Sequence, residues 1–217
     1  MEYPWLFHRL AALERRPARV LDAGSVLNHH RVLGWWRDAQ FPPVSIVTLA
    51  YEGRAAVSNL VRYEFSDLRH LPYRDEWFSA VVCLSTIEHV GLDTTVYGTP
   101  AAASSDPGAE ALRALAELRR VTSRGGILLL SVPFGARSNR GWLRIFDEAD
   151  LARLLSAPGW SEVRVKYYRA TGDGWRECSA AEARTAGYNE PPPAGSRTAP
   201  ASVAAAEAVA LVEMIRS

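Results

Sequence analysis

The chain is poor in cysteine, in charge of either net sign and in long apolar runs, and each shortage closes off a class of function. Two cysteines occur in 217 residues. Cys83 lies inside an apolar run and Cys178 in a polar segment, which gives neither a disulfide framework nor a zinc-ligand spacing. Lys and Arg number 25 against 24 Asp and Glu, so no global positive field exists to hold nucleic acid as the principal partner. Of these basic residues only Lys166 is a lysine, a bias to which no function is attached. No apolar stretch approaches the roughly 20 residues that cross a bilayer, and Trp5-Leu6-Phe7-His8-Arg9 lacks the uninterrupted apolar core of a signal peptide. A cytoplasmic location, with no membrane partner, is the expectation. Hydrophobic residues make up 48% and charged residues 23%, the balance of a folded globular protein and not of a disordered one.

What is present is an alternation of short apolar β-branched runs with helical periodicities. Residues 4 to 16 place Trp5, Leu6, Leu10 and Leu13 on one helical face, and Pro17 ends it. Ala18 to Gly24 reads as a short buried strand ending in a turn, residues 28 to 40 as a helix, and Val44 to Ala50 as a second strand, so that strand, helix and strand imply a parallel crossover. Further strands are predicted at Val61 to Phe65, Phe78 to Leu84 and Ile127 to Val132. Residues 109 to 120 give a helix ended by Ser123-Arg124-Gly125-Gly126, and Phe146 to Leu155 another, acidic at its start. Trp160 to Tyr168 reads as a strand, and Thr185 to Pro200 as a proline-rich loop. Ala206 to Ile215 is read as a final strand pairing with residues 160–168, over the helical alternative. The pattern predicts an α/β sandwich, a mostly parallel sheet covered on both faces, over one domain spanning 1–217. Residues 1–17 form its N-terminal helix and 169–217 a C-terminal hairpin or lid with the last strand.

Ligands in such folds bind beyond the carboxyl ends of the strands. Three segments stand there in order: Val20-Leu21-Asp22-Ala23-Gly24, Ser66-Asp67-Leu68-Arg69-His70-Leu71-Pro72-Tyr73, and Ser85-Thr86-Ile87-Glu88-His89-Val90. With Leu118-Arg119-Arg120-Val121 through Gly125-Gly126 to Pro133, they resemble a class I S-adenosylmethionine-dependent methyltransferase over residues 18–168. The stretch Cys83 to Gly91 with Tyr97-Gly98 is similar to a methyltransferase-like group associated with sugar and polysaccharide biosynthesis. The resemblance implies a Rossmann-like methyltransferase sandwich with an antiparallel final strand, and S-adenosylmethionine as cofactor. It implies that Asp22, Gly24 and Ser25 serve the methionine end and Glu52 the ribose hydroxyls. Asp67 and the Leu68 backbone then read adenine, and Ser85 stands beside them. The first loop carries Val26 and Asn28 where the family has further glycines, and Val26 resists a positive φ.

Methyl transfer to oxygen or nitrogen requires a base for the acceptor proton, which suits histidine near neutral pH. His89 is the candidate, with Asp93 and Tyr97 placed to bind a polyol or to position the base; the alternative is that Glu88 and His89 merely fix the loop. Asp22 and Asp67 can equally be turn residues. Adjacent residues on a helix face apart, so His29-His30 makes no metal clamp, and no metal is expected. Trp142, with Arg137 and Arg140, sits in a loop that can stack on a sugar or meet a phosphate. The function expected is methylation of a hydroxyl or amine of a small polar acceptor, a sugar or natural product, by a chain for which a homodimer is an open assembly. A non-catalytic binding or scaffold protein, motivated by Val26 and Asn28, and an S-adenosylmethionine-binding enzyme of non-methylating chemistry are the alternatives.

Overall fold

The computed structural model describes residues 1–51, 59–95, 103–189 and 205–217. One sheet holds eight strands: β1 Val20–Ala23, β2 Val44–Thr48, β3 Val61–Phe65, β4 Phe78–Leu84, β5 Thr122–Pro133, β6 Trp160–Thr171, β7 Gly174–Cys178 and β8 Ala208–Arg216. Their spatial order is β3-β2-β1-β4-β5-β8-β6-β7. Strands β1 to β5 pair in parallel, and β8 runs antiparallel to both its neighbours. The helices are α1 Glu2–Ala11, α2 His30–Asp38, α3 Pro107–Val121, α4 Glu148–Leu155 and the single turn α5 Ala180–Ala183.

Both faces of the sheet are covered, as near-continuous apolar strands require. In β4 the side chains alternate between two cores: Val81 and Cys83 pack with Leu115 and Leu118 of α3 and Leu154 of α4, while Ala80, Val82 and Leu84 pack with Leu6 and Leu10 of α1 and Leu33 and Trp36 of α2. This mostly parallel, doubly covered sheet is the Rossmann-like sandwich expected.

Several boundaries differ from the sequence reading. Helix α1 stops at Ala11, not at residue 16. Beyond Leu10 only Leu13 has apolar surface to bury, and Arg16 instead donates to the carbonyls of Ala39 and Gln40 at 2.7 and 3.1 Å, beyond the end of α2. Strand β5 begins at Thr122, so Ser123 to Gly126 enter the sheet through an irregular pairing, with Gly125 at φ +69° and Ser123 Oγ donating to the Phe78 carbonyl. Gly172 and Asp173 form the hairpin turn that adds β7 to the sheet. The proline-rich residues 190–204 lie outside the described residues.

Candidate active site

A cavity of about 560 Å³ opens at the carboxyl ends of β1 to β4. Its first wall is the turn after β1. Asp22 is wholly buried and accepts the backbone N–H groups of Val26 (3.3 Å) and Leu27 (2.7 Å), so it builds the turn from below and does not line the cavity. Gly24 has φ +128°, and a Cβ there would stand 2.1 Å from Thr86 Oγ1; both the backbone and the packing require glycine. Ser25, which lines the cavity, takes φ +64°. The left-handed residues are thus Gly24 and Ser25, and Val26 escapes the conflict that its place in the loop led us to expect. From above, Tyr3 of α1 donates its hydroxyl to the Val26 carbonyl at 2.7 Å. Burial, with the charges of Asp22 and Glu2, pushes the Tyr3 phenol up to about 12.

The second wall follows β3. Asp67, Leu68 and Arg69 line it. The Arg69 guanidinium and backbone N–H hold the Asp67 carboxylate at 2.6 to 3.1 Å, and Arg69 Nη1 reaches Glu110 of α3 at 2.6 Å. Partial burial pushes the Asp67 carboxyl up, but the Arg69 hydrogen bonds outweigh it and leave it below the usual range. Asp67 is accordingly a turn residue and a cavity residue at once.

The third wall follows β4. Ser85 has φ +42°, a strained value of the kind found at ligand sites. Its N–H donates to Ser131 Oγ at 2.9 Å and its hydroxyl to Glu2 Oε1 at 2.8 Å, with Ser131 Oγ donating to the same oxygen. Next comes the 3₁₀ turn Ile87–His89. A carbonyl only accepts, so His89 Nδ1–H donates to the Trp142 carbonyl at 2.7 Å, which leaves the lone pair of the neutral ring on Nε2. The indole of Trp142 lies over the imidazole, centroids 5.5 Å apart and planes 15° from parallel. Burial pushes the His89 imidazole below its ordinary value while the Trp142 carbonyl pulls it back.

Gly24, Ser25, Asp67, Leu68, Ser85 and His89 therefore converge on one cavity. Asp93 does not join them: its exposed carboxylate folds back on the N–H and hydroxyl of Thr95 at 2.9 and 2.6 Å, and Thr94 lines the cavity instead. Glu52 and Tyr97 lie outside the described residues. Trp142 stacks on His89, Arg137 pairs with Asp150 at 3.3 Å and Arg140 lies over the Tyr188 ring. Among the described residues, no group of three or more His, Cys, Asp or Glu side chains could hold a metal ion, and no helix is long and apolar enough to cross a membrane. Sequence reasoning missed Tyr3, Glu2, Arg69 and Thr86. Only Thr86 carried a signal, as the residue two after a strand end.

Residues 43–130 match a family model described as a methyltransferase domain. No curated protein sequence matches the chain. Among solved structures, it resembles the 1,6-didemethyltoxoflavin-N1-methyltransferase of Burkholderia thailandensis at 16% identity and TM-score 0.56, over 100% of this chain and 77% of that one. It resembles the N-methyltransferase NodS of Bradyrhizobium japonicum WM9 at 12% identity and TM-score 0.57, over 99% and 85%. Of the [4+2]-cyclase SpnF the chain spans about half the length, 53%, with 68% of its own residues, 23% identity and TM-score 0.47. At these identities the structures speak for the fold alone. The matched methyltransferase domain, on this strand order, supports an enzyme that transfers methyl groups and whose cofactor is S-adenosylmethionine.

Proposed function

We propose that the enzyme methylates a hydroxyl or amine of a small polar acceptor, a sugar or other natural product, and that His89 takes the acceptor's proton. The observation that carries this reading is His89 itself. It lies on the cavity wall, with Nδ1–H committed to a carbonyl and its imidazole held neutral by burial. That is the protonation state of a base ready at neutral pH. The cavity, about 560 Å³, falls within the roughly 300–1,000 Å³ of small-molecule sites, and its walls suit the cofactor. Gly24 and Ser25 bring bare backbone to one end for the methionine part. Arg69 engages the Asp67 carboxylate through four hydrogen bonds, which fix it on the cavity wall beside the apolar Leu68, where the nucleoside would lie. Ser85, fixed from behind by Glu2 and Ser131, shapes the floor between them. When bound, S-adenosylmethionine supplies an electrophilic methyl group; the chain orients the acceptor, excludes water and receives the proton at His89 Nε2.

Calorimetric titration with S-adenosylhomocysteine, followed by a methyl-transfer screen over hydroxyl and amine acceptors, tests the assignment. Micromolar binding is expected for the wild type, and about tenfold or greater weakening for Asp67→Ala, the range of one charged hydrogen bond. His89→Ala should keep that affinity and lose about 10²- to 10⁴-fold in turnover. A folded wild type that takes up no S-adenosylhomocysteine removes the site assignment, and His89→Ala at wild-type turnover removes the base.

A further inference from the structure

Trp142 reaches His89 by two routes from outside the turn that carries it. It lies between the two-residue bridges Ser138–Asn139 and Arg144–Ile145, a small antiparallel ribbon, which presents the residue-142 carbonyl to Nδ1 at 2.7 Å and the indole face to the imidazole at 5.5 Å. The indole is itself braced. The Tyr188 ring meets it edge-on at 6.0 Å and 86°, and the Arg140 guanidinium lies over that ring at 5.9 Å. Trp142 is absent from the cavity lining while His89 is part of it, so the stack works behind the base and not on the acceptor.

We infer that Trp142 is a positioning residue for His89, its carbonyl fixing the tautomer that leaves Nε2 as the proton acceptor and its indole face steadying the positive charge the ring gains. The inference rests on the reading of His89 as the base. An aromatic face beneath a cation within about 6 Å stabilises it electrostatically, against the burial that disfavours the imidazolium. Titratable and charged groups stand near His89 among the described residues. Glu88 stands on its own turn with Oε1 at 3.9 Å from Nε2, Arg144 acts on Glu88, and the Tyr188 phenol and Arg140 lie beyond the indole.

The test is a ¹⁵N NMR titration of the His89 imidazole in the full chain. In the wild type the Nδ1–H tautomer should be the neutral form. Trp142→Leu keeps the site filled with an apolar side chain but has no π face. It should lower the His89 titration point by about half a pH unit, and Trp142→Phe should restore it, while the Nδ1–H tautomer persists because the residue-142 carbonyl belongs to the backbone. Tyr188→Leu, which removes only the brace of the indole, should lower the titration point in part and serves where Trp142→Leu does not fold. An unshifted titration in Trp142→Leu, or in Tyr188→Leu where that variant alone folds, overturns the inference, as does an Nε2–H neutral form in the wild type. This readout needs no turnover, whereas failure of the base itself shows as wild-type turnover in His89→Ala.

Discussion

Glu88 is 2% exposed, and its Oε2 has no hydrogen-bond partner among the described residues. Burial pushes the Glu88 carboxyl well above the usual range, only partly countered by its own backbone N–H and by Arg144. The folded protein therefore holds a proton on Glu88 at pH values where the unfolded chain, with a glutamate near its ordinary value of about 4.3, has lost it. Above that value the folded state binds more protons than the unfolded one, so this group makes stability fall as pH rises, until the folded carboxyl itself ionises. Glu88→Gln removes the titration while keeping size and polarity. Its melting temperature relative to wild type should climb between pH 5 and pH 8, as read by circular dichroism. A constant difference across that range would mean that Glu88 titrates normally in the folded state. Arg144 is the neighbour that matters here: it too is buried, stacked on Phe146 at 4.2 Å, and desolvation disfavours its charge.

Among the elements, α1 does more than cover the sheet. Its first turn reaches two walls of the cavity, Tyr3 through the Val26 carbonyl and Glu2 through the hydroxyls of Ser85 and Ser131. Farther along, Arg9 pairs with Glu213 of β8 through two hydrogen bonds of 2.5 and 2.9 Å. The turn after β1 is thus held by Asp22 from within and by Tyr3 from outside. Tyr3→Phe deletes one neutral hydrogen bond, about 1 kcal/mol, and the melting temperature should fall only slightly. Because that bond orders the cofactor turn, affinity for S-adenosylhomocysteine should drop roughly fivefold. Unchanged affinity in calorimetry would reduce Tyr3 to a packing residue. The amphipathic spacing of Trp5, Leu6 and Leu10 made α1 legible as a helix, but nothing local in the sequence says which end of the sheet a helix reaches. The same holds for Arg69 and Trp142, whose partners lie 41 and 53 residues away. Strand-end residues such as Gly24, Asp67, Ser85 and His89 could be placed because strand order and the carboxyl-end rule fix them together. Asp93 could not, since its capture by Thr95 is decided by the local backbone turn and not by where β4 ends.

At the scale of the whole molecule, the C-terminal strand is the element on which the two halves of the sheet depend. The pairing of β8 with residues 160–168 follows from its apolar run, but it also lies against β5, with Val209 opposite Pro133 and Ile215 opposite Ile127. The strand is therefore internal. Continuous burial of Ala208 to Glu213 on both faces marks it as such, and the run Ala208-Val209-Ala210-Leu211-Val212 carried that mark in the sequence, since a half-covered strand would alternate. Removing residues 208–217 would leave β5 and β6 as two unpaired edges. It would also withdraw Val209, Leu211, Val212 and Met214, each at most 4% exposed. At about 1.5–3 kcal/mol for each such side chain, the loss is comparable to the roughly 5–15 kcal/mol that holds a domain together. A chain ending at Glu207 should show no cooperative thermal transition and no uptake of S-adenosylhomocysteine, although no residue of β8 lines the cavity. If such a chain still melted cooperatively and bound the ligand, β1 to β5 would be an independently folding half, and β6 to β8 an addition that the site does not need.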